Sequence, residues 1–364
     1  MKDQQSDYPV SNALCDWYST HKRPLPWRET DDPYRIWLSE VILQQTRIAQ
    51  GLAYYRDFTE TFPDVRALAE ASEETVLRHW QGLGYYSRAR NLHLTAREIA
   101  GRFNGVFPHT YKELLELKGI GPYTAAAIAS FAFGAPVAVL DGNVYRVLAR
   151  LFDIDTDLRS PKAPALFREL SSAVMAPSRS AVHNQAIMDF GATLCTEHKP
   201  ECEACPLQAQ CLAFARGTVG ARPVRSAAPA KTERFFHYLF LFDRNGCCLH
   251  RREGNDIWRH LWEFPLVETS AAAAPDGLSG LFPWLGPCPP EAVTWHLPVS
   301  RRHVLTHRVL HIDFCPAEAG NLPALMANTD LPAEGFKYVS FEESEQYGLP
   351  KPLVAFLGRF RNVK

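Results

Sequence analysis

The chain has 364 residues, a length that divides into two or three domains at roughly 100 to 200 residues each. Hydrophobic residues make up 46% and charged residues 22%, close to the globular average, which excludes disorder over most of the chain. The formal net charge is -1 and neither half is basic: 25 basic and 25 acidic residues precede Lys231, and 14 against 15 follow from it. Any grip on a polyanion must therefore come from local geometry rather than bulk charge.

The opening MKDQQSDYPV lacks the basic start and apolar core of a signal peptide, so a cytoplasmic location is the expectation. From about residue 8 to 215, apolar residues recur three and four apart. This spacing predicts helices over 34–58, 72–80, 87–103, 111–118, 123–133 and 144–151, joined by short Gly, Pro or Asn turns. The longest uncharged stretch, 119–140, has membrane-spanning length, but Gly119, Gly121, Pro122, Gly134 and Pro136 interrupt it. It reads as a buried helix between two loops, and no membrane is implied.

The segment 217–231, GTVGARPVRSAAPAK, has small residues, prolines and no periodicity, which predicts a linker. It divides an all-α domain, 1–216, from a strand-rich domain, 232–364. In the second domain strands are expected over 235–243, 247–252, 302–317 and 337–341, with a last helix over 351–360. The Ala, Pro and Gly-rich span 270–290 is expected to be a flexible loop, and no internal repeat is present.

Four of the nine cysteines, Cys195, Cys202, Cys205 and Cys211, crowd into 17 residues, which points to a metal site rather than a disulfide framework. Four thiolates suit zinc or an iron–sulfur cluster equally on chemistry alone. Upstream, the turn Gly119-Ile120-Gly121 precedes a helix, so its backbone can approach an anion while the helix N-terminus presents N–H groups. Asp141 follows an apolar run and opens the next helix, where it is suited to an N-cap. A carboxylate held by helix N–H groups keeps a fixed position and stays ionised. Glu40 stands alone in IWLSEVILQQT; such a charge usually faces solvent, but its helical neighbours Ile36, Trp37, Leu43 and Gln44 argue for partial burial and a raised pKa. A proton donor opposite a fixed anion is an acid–base pair in which one carboxyl is neutral and the other charged.

The C-x6-C-x2-C-x5-C spacing at the end of an all-α domain resembles the [4Fe–4S] loop of the endonuclease III superfamily of DNA glycosylases. LKGIGPYT resembles its helix–hairpin–helix element. The segments PLPWR, WLSEVILQQT, GLGYYSRARNL, LDGNVYRVL and NQAIMDFGA are similar to the MutY branch, and the resemblance covers nearly the whole chain. It implies a helix–hairpin–helix glycosylase domain with an iron–sulfur loop, followed by a Nudix-like α/β domain. It further implies a monomer that removes adenine mispaired with 8-oxoguanine or guanine in duplex DNA after flipping the nucleotide out.

By the same resemblance, Glu40 protonates N7 of adenine, and Asp141 stabilises the oxocarbenium-like sugar through its field or a transient bond to C1′. Tyr123 and Asn143 support that centre, while Trp27, Arg28 and Gln185 form the adenine pocket. Gln45, Thr46, Leu83 and Tyr85 fill or wedge the base stack around 8-oxoguanine, the last two from an exposed Gly-flanked loop. Gly119 and Gly121 hold a phosphate, and Lys199 and Arg216 lie on or beside the cysteine loop, where they could face others. Tyr123 stands where bifunctional relatives carry a Schiff-base lysine, so a monofunctional enzyme is implied, and Tyr145 replaces a lysine found in some members. In the second domain the Nudix hydrolase motif is missing, and Leu305-Thr306-His307 stands where the family often has Phe-Ser-His for reading 8-oxoguanine. Arg259 and His260 replace the small residues usual between the two tryptophans. The rival readings are a bifunctional pyrimidine-lesion glycosylase, an iron–sulfur DNA-binding protein and a free-nucleotide hydrolase.

Overall fold

The structure is a computed structural model, and it describes residues 8–273, 280–285 and 288–361. The chain forms two compact units, one of residues 1–70 and 91–227, the other of residues 71–90 and 228–364. The division falls at Ala227 and Ala228, within the stretch read as a linker, but residues 71–90 group with the C-terminal half. Most of the expected linker is also fastened down. The carbonyls of Val219 and Arg222 accept from Arg150 Nε at 3.1 and 3.2 Å, and the Leu158 N–H donates to the Val224 carbonyl at 3.0 Å. Buried Arg150 needs acceptors, and this backbone supplies them.

The first unit is helical. Asp32 caps the helix Pro33–Leu43 by accepting the Tyr34 N–H, with Pro33 at the first position, where its missing N–H costs nothing. The single helix expected over 34–58 is in fact two, Pro33–Leu43 and Ile48–Thr61. The break comes at Gln44 to Arg47, where Gln45 has a φ of 55°, a conformation that cannot continue a right-handed helix. Thr110 and Glu113 form a reciprocal capping box on Tyr111–Glu116. The uncharged stretch is the buried helix Pro122–Phe133, stopped by left-handed Gly134, and among the described residues no helix is long and apolar enough to cross a membrane. Apolar residues of Pro9–His21, Pro122–Phe133, Gly142–Leu151, Ala163–Val174 and Ser180–Thr193 meet in one core around Leu14, Leu148, Phe167 and Phe190.

The second unit carries a mixed sheet of β1 (Thr232–Phe242), β2 (Gly246–Arg251), β3 (Trp262–Glu263), β4 (Leu266–Thr269), β5 (Val293–Trp295), β6 (Val299–Val304), β7 (Arg308–Ala319) and β8 (Lys337–Ser340). β1 runs parallel to β7 and antiparallel to β2 and β4; flanked on both edges and buried on both faces, it needs an unbroken apolar run. The strand expected over 302–317 is a hairpin of β6 and β7, with Leu305-Thr306-His307 at its tip and the Leu305 N–H closing onto the Arg308 carbonyl at 2.8 Å. Part of the span expected to be a flexible loop lies outside the described residues. In the described part, Phe282 and Trp284 are buried against the Leu239 and Leu322 core.

Residues 71–90 are held in this unit by a polar network. Glu73 takes Arg251 Nη2 at 2.9 Å and lies 2.6 Å from His260 Nδ1, while Trp262 Nε1 donates to Glu74 at 2.8 Å. Arg90 Nη1 donates to the Arg259 carbonyl at 2.9 Å. Arg259, through its carbonyl, and His260, through its ring, are therefore part of this fastening.

Candidate active site

A cavity of about 600 Å³ in the helical unit is lined by Trp27, Arg28, Glu40, Gln45, Thr46, Tyr123, Asp141, Asn143 and Gln185 among others, a size suited to a nucleobase with its sugar. Glu40 reaches it from a helix in which Ile36 through Ile42 are all buried, so it has no solvated face of its own and the residue is 7% exposed. The Tyr123 hydroxyl, from the start of Pro122–Phe133, donates to Glu40 Oε2 at 2.5 Å. Burial pushes the Glu40 carboxyl up to about 7, with the Tyr123 hydrogen bond and the Arg28 charge holding it down and Asp141 pushing it further up. Burial, then Glu40 and Asp141, raise the Tyr123 phenol well above its ordinary value, so it is a neutral donor.

Asp141 caps the helix Gly142–Leu151: its Oδ1 accepts the Val144 N–H at 2.7 Å and its Oδ2 accepts Asn143 Nδ2 at 3.0 Å. The capping role is as expected, but the direction of the shift is not. Burial in the cavity raises the carboxyl above the ordinary aspartate value, and the Val144 and Asn143 donors, with Arg146 beyond them, pull it back. Arg146 is held in turn: it donates to Asn143 Oδ1 at 2.8 Å, to the Gly191 carbonyl at 2.6 Å and to the Cys195 carbonyl at 2.9 Å. A chain of hydrogen bonds thus runs from Asp141 to the first cysteine.

The far wall is a network that sequence reasoning only half found. Arg28 Nη1 donates to the Tyr18 hydroxyl at 2.6 Å, Tyr18 donates to Gln185 Oε1 at 2.8 Å, and Arg28 Nη2 donates to Asp189 Oδ1 at 2.7 Å. Asp189 is fully buried and also binds Arg23. Tyr18, Arg23 and Arg146 carried no signal of their own; Asp189, the acid inside the NQAIMDFGA segment, was the one available clue.

The four cysteines line a single cavity with Arg150, Leu194 and Phe214, and none forms a disulfide. Among the described residues no three His, Cys, Asp or Glu side chains form a group that could hold one metal ion. A [4Fe–4S] cluster takes one thiolate per iron and needs four thiols spread around a pocket, so this donor set fits it. Arg150 Nη1 approaches Cys195 Sγ at 3.4 Å, a cation suited to thiolate charge. Of the flanking cations, Lys199 is exposed, whereas Arg216 is paired with Asp153 at 3.0 Å.

Gly119 has a φ of 85°, and a Cβ on it would lie 2.7 Å from Asn91 Cβ, so glycine is required; Gly121, the helix N-cap, has open space around it. The residues expected around 8-oxoguanine divide. Gln45 and Thr46 sit on the rim of the cavity that holds Glu40. Tyr85, Thr306 and His307 line another cavity, about 750 Å³, in the second unit, with Arg90, Lys231 and Trp258. There the Tyr85 and Thr306 hydroxyls are hydrogen-bonded to each other. Leu83 is not on an exposed loop: it is 8% exposed, because the chain turns at Gly82 and Gly84 and its N–H folds back onto the Trp80 carbonyl, whereas Tyr85 is 45% exposed.

Residues 38–173 match the HhH-GPD superfamily of base excision DNA repair proteins, and residues 237–359 match the NUDIX domain. The adenine DNA glycosylase of Buchnera aphidicola subsp. Baizongia pistaciae (strain Bp) is 34% identical over 257 residues, covering 70% of this chain and 72% of its own. That of Buchnera aphidicola subsp. Acyrthosiphon pisum (strain APS) is 27% identical over 361 residues, 97% of this chain and 98% of its own. The Homo sapiens adenine DNA glycosylase is 41% identical over 213 residues, 56% of this chain and 39% of its own. Among solved structures, a thermostable thymine-DNA glycosylase superposes with a TM-score of 0.53 at 27% identity, covering 58% of this chain and 98% of that one. A trapped endonuclease III–DNA covalent intermediate shares the fold, with a TM-score of 0.50 at 21% identity over 60% of this chain and 99% of that one. The helical unit, the following Nudix-like unit and these likenesses agree: the chain belongs to the adenine DNA glycosylases of base excision repair.

Proposed function

We propose that this glycosylase acts on adenine placed opposite 8-oxoguanine or guanine in duplex DNA, flips the nucleotide into the Glu40 cavity and leaves an uncut abasic site. The observation that carries this reading is the pairing of Glu40, a buried acid titrating at about 7, with Asp141 in one nucleobase-sized cavity. The two carboxyls have different surroundings. Glu40 begins from the higher ordinary value and takes its hydrogen bond from Tyr123, whereas Asp141 begins lower and takes the Val144 N–H and the Asn143 amide. The shared proton therefore rests on Glu40 and the charge on Asp141, which is the division the reaction needs.

In this mechanism the Glu40 proton passes to N7 of adenine as the C1′–N9 bond breaks, and its electron pair leaves with the base. Asp141 offsets the positive charge on the sugar, through its field or a transient bond to C1′, and water then adds at C1′, its proton passing to the Glu40 carboxylate and restoring the acid. Tyr123 orients Glu40, Asn143 orients Asp141, and the Tyr18, Arg28, Gln185 and Asp189 network shapes the wall that meets the base. A phenol at 123 cannot form a Schiff base, so no lyase step follows. Cys195, Cys202, Cys205 and Cys211 would hold one [4Fe–4S] cluster, which would supply cross-links to the loop. In the second unit, the Tyr85 and Thr306 hydroxyls, with His307 beside them, supply the polar contacts for 8-oxoguanine, and Thr306 keeps the hydroxyl that the family's serine provides.

Single-turnover excision on a duplex with adenine opposite 8-oxoguanine tests the reading, with wild type, Glu40→Gln and Asp141→Asn each assayed with and without alkali. Breaks that need alkali and vanish in both variants support it. Breaks without alkali overturn the monofunctional assignment, and equal rates opposite 8-oxoguanine and guanine overturn the lesion-reading one.

A further inference from the structure

Four arginines of the second unit are neutralised where they stand. Arg234 is paired with Asp256 and Glu268, Arg252 with Asp256 and Glu263, Arg251 with Glu73, and Arg308 with Asp256. A groove of about 530 Å³ between β6 and the C-terminal helix Lys351–Arg361 breaks this pattern. Arg301 and Arg302 of the strand and Lys351 and Arg359 of the helix line it, together with His303 and Phe356. All four cations are exposed, and among the described residues none has a carboxylate within 4.0 Å. In a chain of net charge -1, four uncompensated cations around one groove are a local concentration that folding energetics does not require.

We propose that this groove is a phosphate-binding track for the duplex flanking the lesion, separate from the helix–hairpin–helix turn and the cysteine loop. The proposal rests on the reading of the β6–β7 hairpin as the lesion-facing element, because Arg301 and Arg302 lie on the strand that leads directly into its tip at Leu305-Thr306-His307. Lys351 and Arg359 are eight residues apart on one helix, a rise of about 12 Å at ~1.5 Å per residue. That span covers three to four phosphate steps of a DNA strand at about 3.4 Å each along the axis. A continuous polyanion matches this spread of charge, and guanidinium groups suit phosphate oxygens.

The test is the salt dependence of binding to an undamaged duplex, measured by fluorescence anisotropy for full-length wild type, R301Q/R302Q, K351Q/R359Q and the four-fold variant. Each neutralised phosphate contributes about 0.9 to the slope of log affinity against log salt. The strand pair and the helix pair should each flatten the slope by about 1 to 2, and the four-fold variant by about 2 to 4, with at least a tenfold loss of affinity at low salt. R301K/R302K, which keeps the charge, should restore the slope, and unchanged melting temperatures should show that the variants fold. Wild-type slope and affinity in the four-fold variant overturn the proposal. So does an oligoglutamate peptide that binds wild type and not the variant while duplex binding stays equal, since the groove would then be a site for acidic protein segments. Because the duplex carries no lesion, failure of the 8-oxoguanine reading would show in the excision assay and leave this comparison decisive on the groove.

Discussion

Replacing Tyr123 with Phe removes one atom, the hydroxyl that donates to Glu40 Oε2 at 2.5 Å, and leaves the ring that packs beside it. A donor to a carboxylate stabilises its charged form, so removing it must raise the Glu40 pKa from about 7. Hydrogen bonds to charged groups contribute about 1.5 to 3 kcal/mol. At roughly 1.4 kcal/mol per pH unit, that is an upward shift of about 1 to 2 units. If Glu40 is the general acid, the single-turnover rate is flat below its pKa and falls about tenfold per pH unit above it. The falling limb should therefore begin near pH 7 in wild type and about 1 to 2 units higher in Tyr123→Phe, whatever the variant does to the plateau. The assay is single-turnover adenine excision from pH 5 to 10, with Glu40→Gln as the background that lacks the limb. A limb that stays in place, or moves to lower pH, would refute the reasoning, since the hydroxyl would then not be holding the Glu40 proton.

The same burial has a stability consequence. Glu40 ionises near its ordinary value of 4.5 in the unfolded chain but at about 7 when folded, so wild type loses stability relative to Glu40→Gln as pH rises from 4.5 to 7. The difference should reach about 3 kcal/mol above pH 7, and urea melts at pH 5 and pH 8 should show the variant gaining only at the higher pH. Gly119→Ala should destabilise by about 1 to 3 kcal/mol, through its positive φ and the clash with Asn91, while Gly121→Ala should cost under about 1 kcal/mol; equal melts for the two would contradict the geometry. Cys202→Ser should lose the broad visible absorbance of an iron–sulfur cluster and its bound iron, as measured by absorbance and metal analysis. A variant with full iron content would remove Cys202 from the ligand set.

How much of this was legible in the sequence depended on how local the cause was. Caps and glycine stops are decided within four residues, so Asp141, the hairpin turn and the helix Pro122–Phe133 could be read directly. Failures came where a local pattern was overruled by one backbone angle or by distant partners. Nothing in the apolar periodicity of 34–58 signals the left-handed Gln45, and a run of alternating residues from 302 to 317 does not reveal that the chain reverses at Leu305-Thr306-His307. Residues 71–90 look like any other amphipathic piece of a helical domain. Their place in the second unit is set by Glu73, Glu74 and Arg90 meeting His260, Trp262 and the Arg259 carbonyl, contacts spanning some 170 to 190 positions.

The active-site acids show the same division between type and environment. Glu40 was recognisable because its helical neighbours Ile36, Trp37, Leu43 and Gln44 argue against a solvated face and its segment resembles a known catalytic helix, and the structure supplies the consequence, a pKa near 7 from burial. Burial alone, however, raises Asp141 as well, and two acids lifted together would give no acid–base asymmetry. The asymmetry comes from what each carboxyl accepts. Asp141 sits at a helix N-terminus with Val144 and Asn143 as donors, and Arg146 fixes Asn143 from behind; Glu40 lies deep within a helix whose own N–H groups are all spent, leaving it the Tyr123 hydroxyl. Helix position thus gives the two carboxyls different donors, and the proposed division of proton and charge rests on that difference together with their different ordinary values.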